Sequence, residues 1–160
     1  PDVFDPVSDG SFPEALARIT SFCGYVVSQP PDTHRPTLRP YKRRPRVLAT
    51  AGGGDDGFPL LDAFVSAAAD AGWDAMVVAG SNWPRDRRDL LRARAGEAGV
   101  SYRKFVPSLP SEFAGLDALV SMGGYNTLAE AAASGVPTVC VPRPGPARDQ
   151  LISQIRRRNS

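Results

Sequence analysis

Five short apolar runs, each followed by small residues and then by a helical pattern, constrain this chain more than any other feature. From Arg46 onward they read RVLATA, DAMVVAG, SYRKFV, DALVSM and PTVCVP. The runs are continuous rather than alternating with period two, as strands covered on both faces must be. Between them, Leu60, Leu61, Phe64, Val65 and Ala68 recur at helical spacing until Gly72. PRDRRDLLRARAGEAG predicts a polar helix with Leu90 and Leu91 inward, and PSLPSEFAGL a short helix or turn. YNTLAEAAASG predicts a helix ending at Gly135, and RPGPARDQLISQIRRR a closing helix. Regular alternation of this kind predicts an α/β fold, a Rossmann-like doubly wound parallel sheet. Right-handed crossovers favour the strand order 3-2-1-4-5, with strands one and four side by side.

The first forty-odd residues have another character. SFCGYVV, Ser21 to Val27, reads as a strand, and SQPPDTHRPTLRP is too rich in proline for a helix or a ladder. Residues 1–44 are therefore expected to be an extended arm or linker, and residues 45–160 the ligand-binding domain. The start at Pro1 without methionine suggests an excised or processed piece.

The formal net charge of +2 over 160 residues does not suggest a nucleic-acid binder. Much of the excess sits in Lys42-Arg43-Arg44 with Arg46 and in Arg156-Arg157-Arg158, read as solvated surface or the neighbourhood of another domain. Cys23 and Cys140 form no CxxC pair and lie in apolar surroundings, which suggests a reduced, cytoplasmic setting. No run approaches the roughly 18–20 apolar residues of a membrane span, and the first residues do not read as a signal peptide.

In an open α/β sheet, ligands bind beyond the carboxyl ends of the strands where the strand order reverses. The chemically distinctive residues fall on that edge. Gly52, Gly53 and Gly54 open GGGDDG after strand one, and Gly123, Gly124, Tyr125, Asn126 and Thr127 follow strand four. Amides at a helix start, with glycines that allow close approach, suit a pyrophosphate. The same residues also fit a tight turn with Asn126 or Thr127 as a helix cap. Glu130, expected on the first turn of that helix, could accept bonds from a ribose diol or merely complement the helix dipole. GGGDDG matches the G-x-G-x-x-G dinucleotide fingerprint through Gly52, Gly54 and Gly57. Asp55 and Asp56 would repel a pyrophosphate there, and Gly80-Ser81-Asn82 lacks the expected acid, so a dehydrogenase is disfavoured. Asp149-Gln150 suits a polyhydroxylated sugar or the dressing of a helix start after Gly145-Pro146. His34 lies in the proline-rich arm, and no hydrolytic constellation is visible.

VLATAGGGDDG followed by FVPSLPSEFAGLDALVSMGGYNTLAEAAASGVPTVCVPRPGPARDQ resembles the C-terminal, donor-binding domain of GT-B fold glycosyltransferases, family 28-like, in the group of the lipid I N-acetylglucosaminyltransferase and its predicted relatives. The resemblance covers about Arg46 to the end, and it implies that SFCGYVV, within residues 1–44, is the last strand of a missing N-terminal domain. It implies that Gly124, Tyr125, Asn126 and Thr127 bind the donor diphosphate and that Glu130 holds the ribose. It implies that Phe105 and Val106 contact the base, that Asp149 and Gln150 touch the hexose, and that Gly52 to Gly54 face an interdomain cleft. A UDP-hexose or UDP-N-acetylhexosamine donor is implied, with no metal or other cofactor. The acceptor and the catalytic base are expected in the missing N-terminal domain, so this chain alone is expected to be inactive. The resemblance also implies a cytoplasmic enzyme with peripheral membrane contact, since a lipid-linked acceptor has use for a basic patch. Two departures stand out: the group's first loop usually carries serine and glutamine among its glycines, whereas here Asp55 and Asp56 follow them, and its acid-amide position usually carries two glutamines. A UDP-sugar 2-epimerase-like domain, or a non-catalytic nucleotide- or partner-binding domain, is the alternative.

Overall fold

The computed structural model describes residues 12–21, 26–27, 44–52 and 54–142. By its contacts the chain divides into two units, Pro1–Val26 with Arg143–Ser160, and Val27–Pro142. In the first, the described residues hold one helical turn, α1 (Glu14–Ala17), which the sequence pattern did not predict. Pro13 opens it without needing an N–H, and Arg18 pairs with Glu14 four residues away. The expected strand at Ser21–Val27 falls largely outside the described residues, and Cys23, His34, the proline-rich stretch and the closing helix lie outside them altogether.

The second unit alternates strands and helices. β1 (Arg46–Thr50), α2 (Phe58–Ala68), β2 (Asp74–Val78), α3 (Arg85–Glu97) and β3 (Ser101–Arg103) come first. α4 (Leu109–Phe113), β4 (Ala118–Ser121), α5 (Tyr125–Ser134) and β5 (Thr138–Cys140) complete it. All pairings are parallel, in the order β3-β2-β1-β4-β5, as the sequence pattern predicted. The order reverses between β1 and β4, so a crevice opens beyond their carboxyl ends.

Alternate residues of the central strands serve opposite faces. Val47, Ala49 and Val77 join Leu61, Phe64 and Val65 of α2 and Leu91 and Ala95 of α3 in one core. Leu48, Val78 and Leu119 join Phe113 of α4 and Ala131 of α5 in the other. Leu48, Leu61, Leu91 and Leu119 are fully buried, each contributing about 2–3 kcal/mol by transfer from water. Leu90 is not inward as expected: it is 47% exposed. At 100° per residue the core-facing stripe of α3 passes through Leu91 and Ala95, one turn apart, and leaves Leu90 to the side. The Arg94 guanidinium of α3 pairs with Asp62 of α2. No helix among the described residues is long and apolar enough to cross a membrane.

Candidate functional site

The crevice is built from the last residues of β1 and β4. Thr50 and Ser121 lie opposite each other in register and are 4% and 2% exposed. Each hydroxyl accepts a hydrogen bond from the amide two residues on: Ser121 Oγ from Gly123 at 3.1 Å, Thr50 Oγ1 from Gly52 at a longer 3.5 Å. Each bond closes a local turn, and each donating glycine adopts a left-handed φ, +78° at Gly123 and +73° at Gly52.

Beyond these turns the two loops differ. After β1 the chain makes a 3-10 turn, Asp55–Gly57, before α2. The Trp83 indole, 3% exposed, donates from Nε1 to the Gly54 carbonyl at 2.6 Å and packs on Phe58 with ring centroids 6.0 Å apart. Gly57 leaves no room for a side chain: a Cβ there would stand 1.9 Å from Ala51 Cβ and 3.3 Å from Trp83 Cζ2. The third glycine of the apparent fingerprint thus serves helix–strand packing. Gly53 lies outside the described residues.

After β4, Gly124 leads directly into α5 with φ −56° and ψ 138°, and no side chain among the described residues caps the helix. Asn126 and Thr127 take the second and third helical positions, where amides have no carbonyl one turn back to bond. Neither is the N-cap, so the capping role open to them in the sequence is excluded. Asn126 and Tyr125 are exposed, Tyr125 at 58%, and Thr127 is half-buried.

Glu130 occupies the sixth helical position, not the first turn as expected. The helix starts at Tyr125, and the dipole effect fades within one turn, so dipole dressing is not its role. It follows Asn126 and Thr127 by four and three residues, on the same helix face. It is half-buried; burial pushes its carboxyl above the ordinary range, and no charged neighbour or hydrogen bond among the described residues offsets this.

Phe105 and Val106 follow β3 in the loop that crosses to α4, which packs beside α5. Phe105 is 60% exposed, whereas the Val106 side chain is buried in the second core and leaves only its backbone to a ligand. Cys140 is a free, half-buried thiol opposite Ser121, held above its ordinary pKa by burial. Asp149 and Gln150 lie outside the described residues. Among the described residues no group of three or more His, Cys, Asp or Glu side chains could hold a metal. The sequence reading missed Thr50, Ser121 and Trp83. The signal was present, since T-A-G and S-M-G repeat one hydroxyl-x-glycine pattern at two strand ends.

A parallel sheet with an uncapped helix start at its switch point is the framework of a nucleotide-binding α/β domain. Residues 75–154 match the glycosyltransferase family 28 C-terminal domain, half of the chain, and the chain belongs to that family. It is 29% identical over 96 residues to the UDP-N-acetylglucosamine–N-acetylmuramyl-(pentapeptide) pyrophosphoryl-undecaprenol N-acetylglucosamine transferase of Bacillus cytotoxicus, covering 58% of this chain and 26% of the relative. The Halorhodospira halophila enzyme of the same name is 30% identical over 139 residues, covering 83% of this chain and 38% of the relative. This chain therefore spans only about a quarter to two-fifths of those relatives. The fold is similar to that of MurG from Acinetobacter baumannii, with a TM-score of 0.59 at 18% identity, over 75% of this chain and 37% of that one. It is also similar to the glycosyltransferase SnogD from Streptomyces nogalater, with a TM-score of 0.55 at 25% identity, over 93% of this chain and 40% of that one. The Rossmann-like half of a GT-B glycosyltransferase is the architecture these comparisons support.

Proposed function

We propose that this chain holds the nucleotide-sugar donor of a glycosyltransferase, a UDP-hexose or UDP-N-acetylhexosamine. One observation carries the reading: α5 begins uncapped at the switch point, and Glu130 stands one turn further along the same helix face without a partner among the described residues. Gly124, Tyr125, Asn126 and Thr127 cradle the diphosphate. Glu130 accepts bonds from the ribose hydroxyls, and Phe105 with the Val106 backbone borders the base. Gly52 to Gly54 line the cleft, and Asp149 and Gln150 meet the hexose. The acceptor hydroxyl attacks the anomeric carbon as the bond to the diphosphate oxygen breaks. The acceptor's proton passes to a base, and the charge left on the diphosphate is stabilised by backbone amides and the helix dipole. That work needs no metal or cofactor.

The base and acceptor groove belong to the part of the relatives that this chain does not span. By itself the chain therefore binds donor weakly and transfers nothing efficiently. An acceptor of the undecaprenol-linked kind named for the relatives brings the whole enzyme to the cytoplasmic face of a membrane.

Titration calorimetry with UDP tests the reading. Glu130→Ala should weaken binding by about 1–3 kcal/mol, because buried polar groups lose their partner. Absence of UDP binding removes the donor assignment. Unchanged affinity in Glu130→Ala removes Glu130 from the site. Tighter binding of dTDP, GDP or ADP replaces the base.

A further inference from the structure

We infer that Ser121 is a positioning residue that decides which backbone amides the donor diphosphate meets. The inference rests on the donor-binding reading above and deepens it. Ser121 ends β4 between Thr50 of β1 and Cys140 of β5, in register with both. Its carbonyl accepts the Val141 amide at 2.8 Å, so its backbone is fixed from the β5 side. Met122, 6% exposed, turns into the opposite core. Between these two anchors the direction of the buried Gly123 amide is set by one contact, the 3.1 Å bond to Ser121 Oγ.

With that bond in place the Gly123 N–H points back into the sheet, and the outward donors come from the start of α5. Without it a buried N–H is left unpaired, a costly state. Glycine at 123 lets the chain relieve it by rotating the Met122–Gly123 peptide, which carries that N–H, since Gly123 tolerates conformations closed to other residues. The start of α5 then shifts relative to a bound phosphate. A nucleoside without phosphates does not sense the shift, whereas a diphosphate does. Thr50 makes the corresponding bond to Gly52 at the longer distance of 3.5 Å and carries one methyl more, so a threonine can serve in this kind of turn.

The test is the affinity of the 160-residue chain for UDP and for uridine, by calorimetry and ligand-observed NMR competition. Ser121→Ala should weaken UDP about tenfold, within the cost of an orphaned buried donor, and leave uridine within about twofold. Ser121→Thr should return UDP to within about threefold of the parent, because the acceptor oxygen is restored. If Ser121→Ala does not fold, Ser121→Cys replaces it: the thiol keeps the volume but is a weak acceptor, and the same loss confined to UDP is expected. Equal weakening of UDP and uridine, or no weakening of either, overturns the positioning role while the donor assignment stands. A parent chain that binds neither compound overturns both.

Discussion

The loops after β1 and β4 begin alike and end differently. Both start from a buried hydroxyl on the last strand residue, bonded to the amide of a left-handed glycine two residues later. After β1 the chain then packs on itself, with a 3-10 turn, the Trp83 indole on the Gly54 carbonyl, and a Gly57 pressed on Ala51. After β4 nothing comparable intrudes among the described residues, and Gly124 passes straight into an uncapped helix. A glycine motif at a strand end therefore does not by itself define a phosphate loop. The segment after the glycine decides whether its freedom serves packing within the chain or the approach of a ligand.

The sharpest way to break this comparison is to add one methyl group to each loop. At Gly57 the new Cβ would sit 1.9 Å from Ala51 Cβ, which no rotamer change relieves. Gly57→Ala should cost about 3 kcal/mol or more, as overpacking a filled core does. Urea denaturation measures it, and Ala51→Gly in the same chain should recover most of the loss, because the two sites share one contact. At Gly124 the nearest atom to a new Cβ is Thr127 Oγ1 at 4.0 Å, and φ is −56°. Gly124→Ala should therefore cost no more than about 1 kcal/mol, the modest advantage of glycine over alanine at an N-cap. Equal losses at the two positions would remove the distinction between a packed and an open loop.

A smaller effect sharpens it. Trp83→Phe keeps a ring beside Phe58 but removes the donor to the Gly54 carbonyl. It should cost about 1–2 kcal/mol, the range for leaving a partly buried acceptor unpaired together with a modest loss of packing. Because Trp83 acts through the first loop, the Ser121–Gly123 bond is untouched, and UDP affinity should move less than in Ser121→Ala. A Trp83 variant that abolishes UDP binding while unfolding at the parent's urea midpoint would show the first loop to be part of the ligand site.

Much of the fold could be read from the residues, because unbroken apolar runs and short small-residue loops leave a parallel sheet few other arrangements. Strand order and the start of α5 at Tyr125 came from that pattern. The failures lay at a finer scale. On α3 packing chose Leu91 over its neighbour Leu90, whereas on α2 the adjacent Leu60 and Leu61 both reach one core. Glu130 was expected on the first turn, although a helix that starts at Tyr125 makes it the sixth residue and sets it in the second turn. Trp83 was not legible as a loop clamp, since its partner Gly54 lies 29 residues away and the contact depends on how the two loops meet.

The smallest effect concerns Glu130 and has opposite signs for stability and for binding. Burial raises its pKa in the folded state. Between the unfolded and folded values the native chain holds more protons than the unfolded one, so stability falls as pH rises through that window and is level above it. A ribose diol, by contrast, donates to a carboxylate, so UDP affinity should rise as pH passes through the same window. Glu130→Gln cannot titrate. It should flatten both profiles and make the unliganded chain slightly more stable at neutral pH, measured by urea unfolding and by UDP titration across acidic to neutral pH. Opposed slopes in the parent chain are the signature of a carboxylate held for a ligand at some cost to the fold. If the substitution flattens the stability profile and leaves the pH dependence of UDP affinity as it was, Glu130 is a half-buried acid outside the binding surface, and the open loop after β4 must recognise its ligand without it.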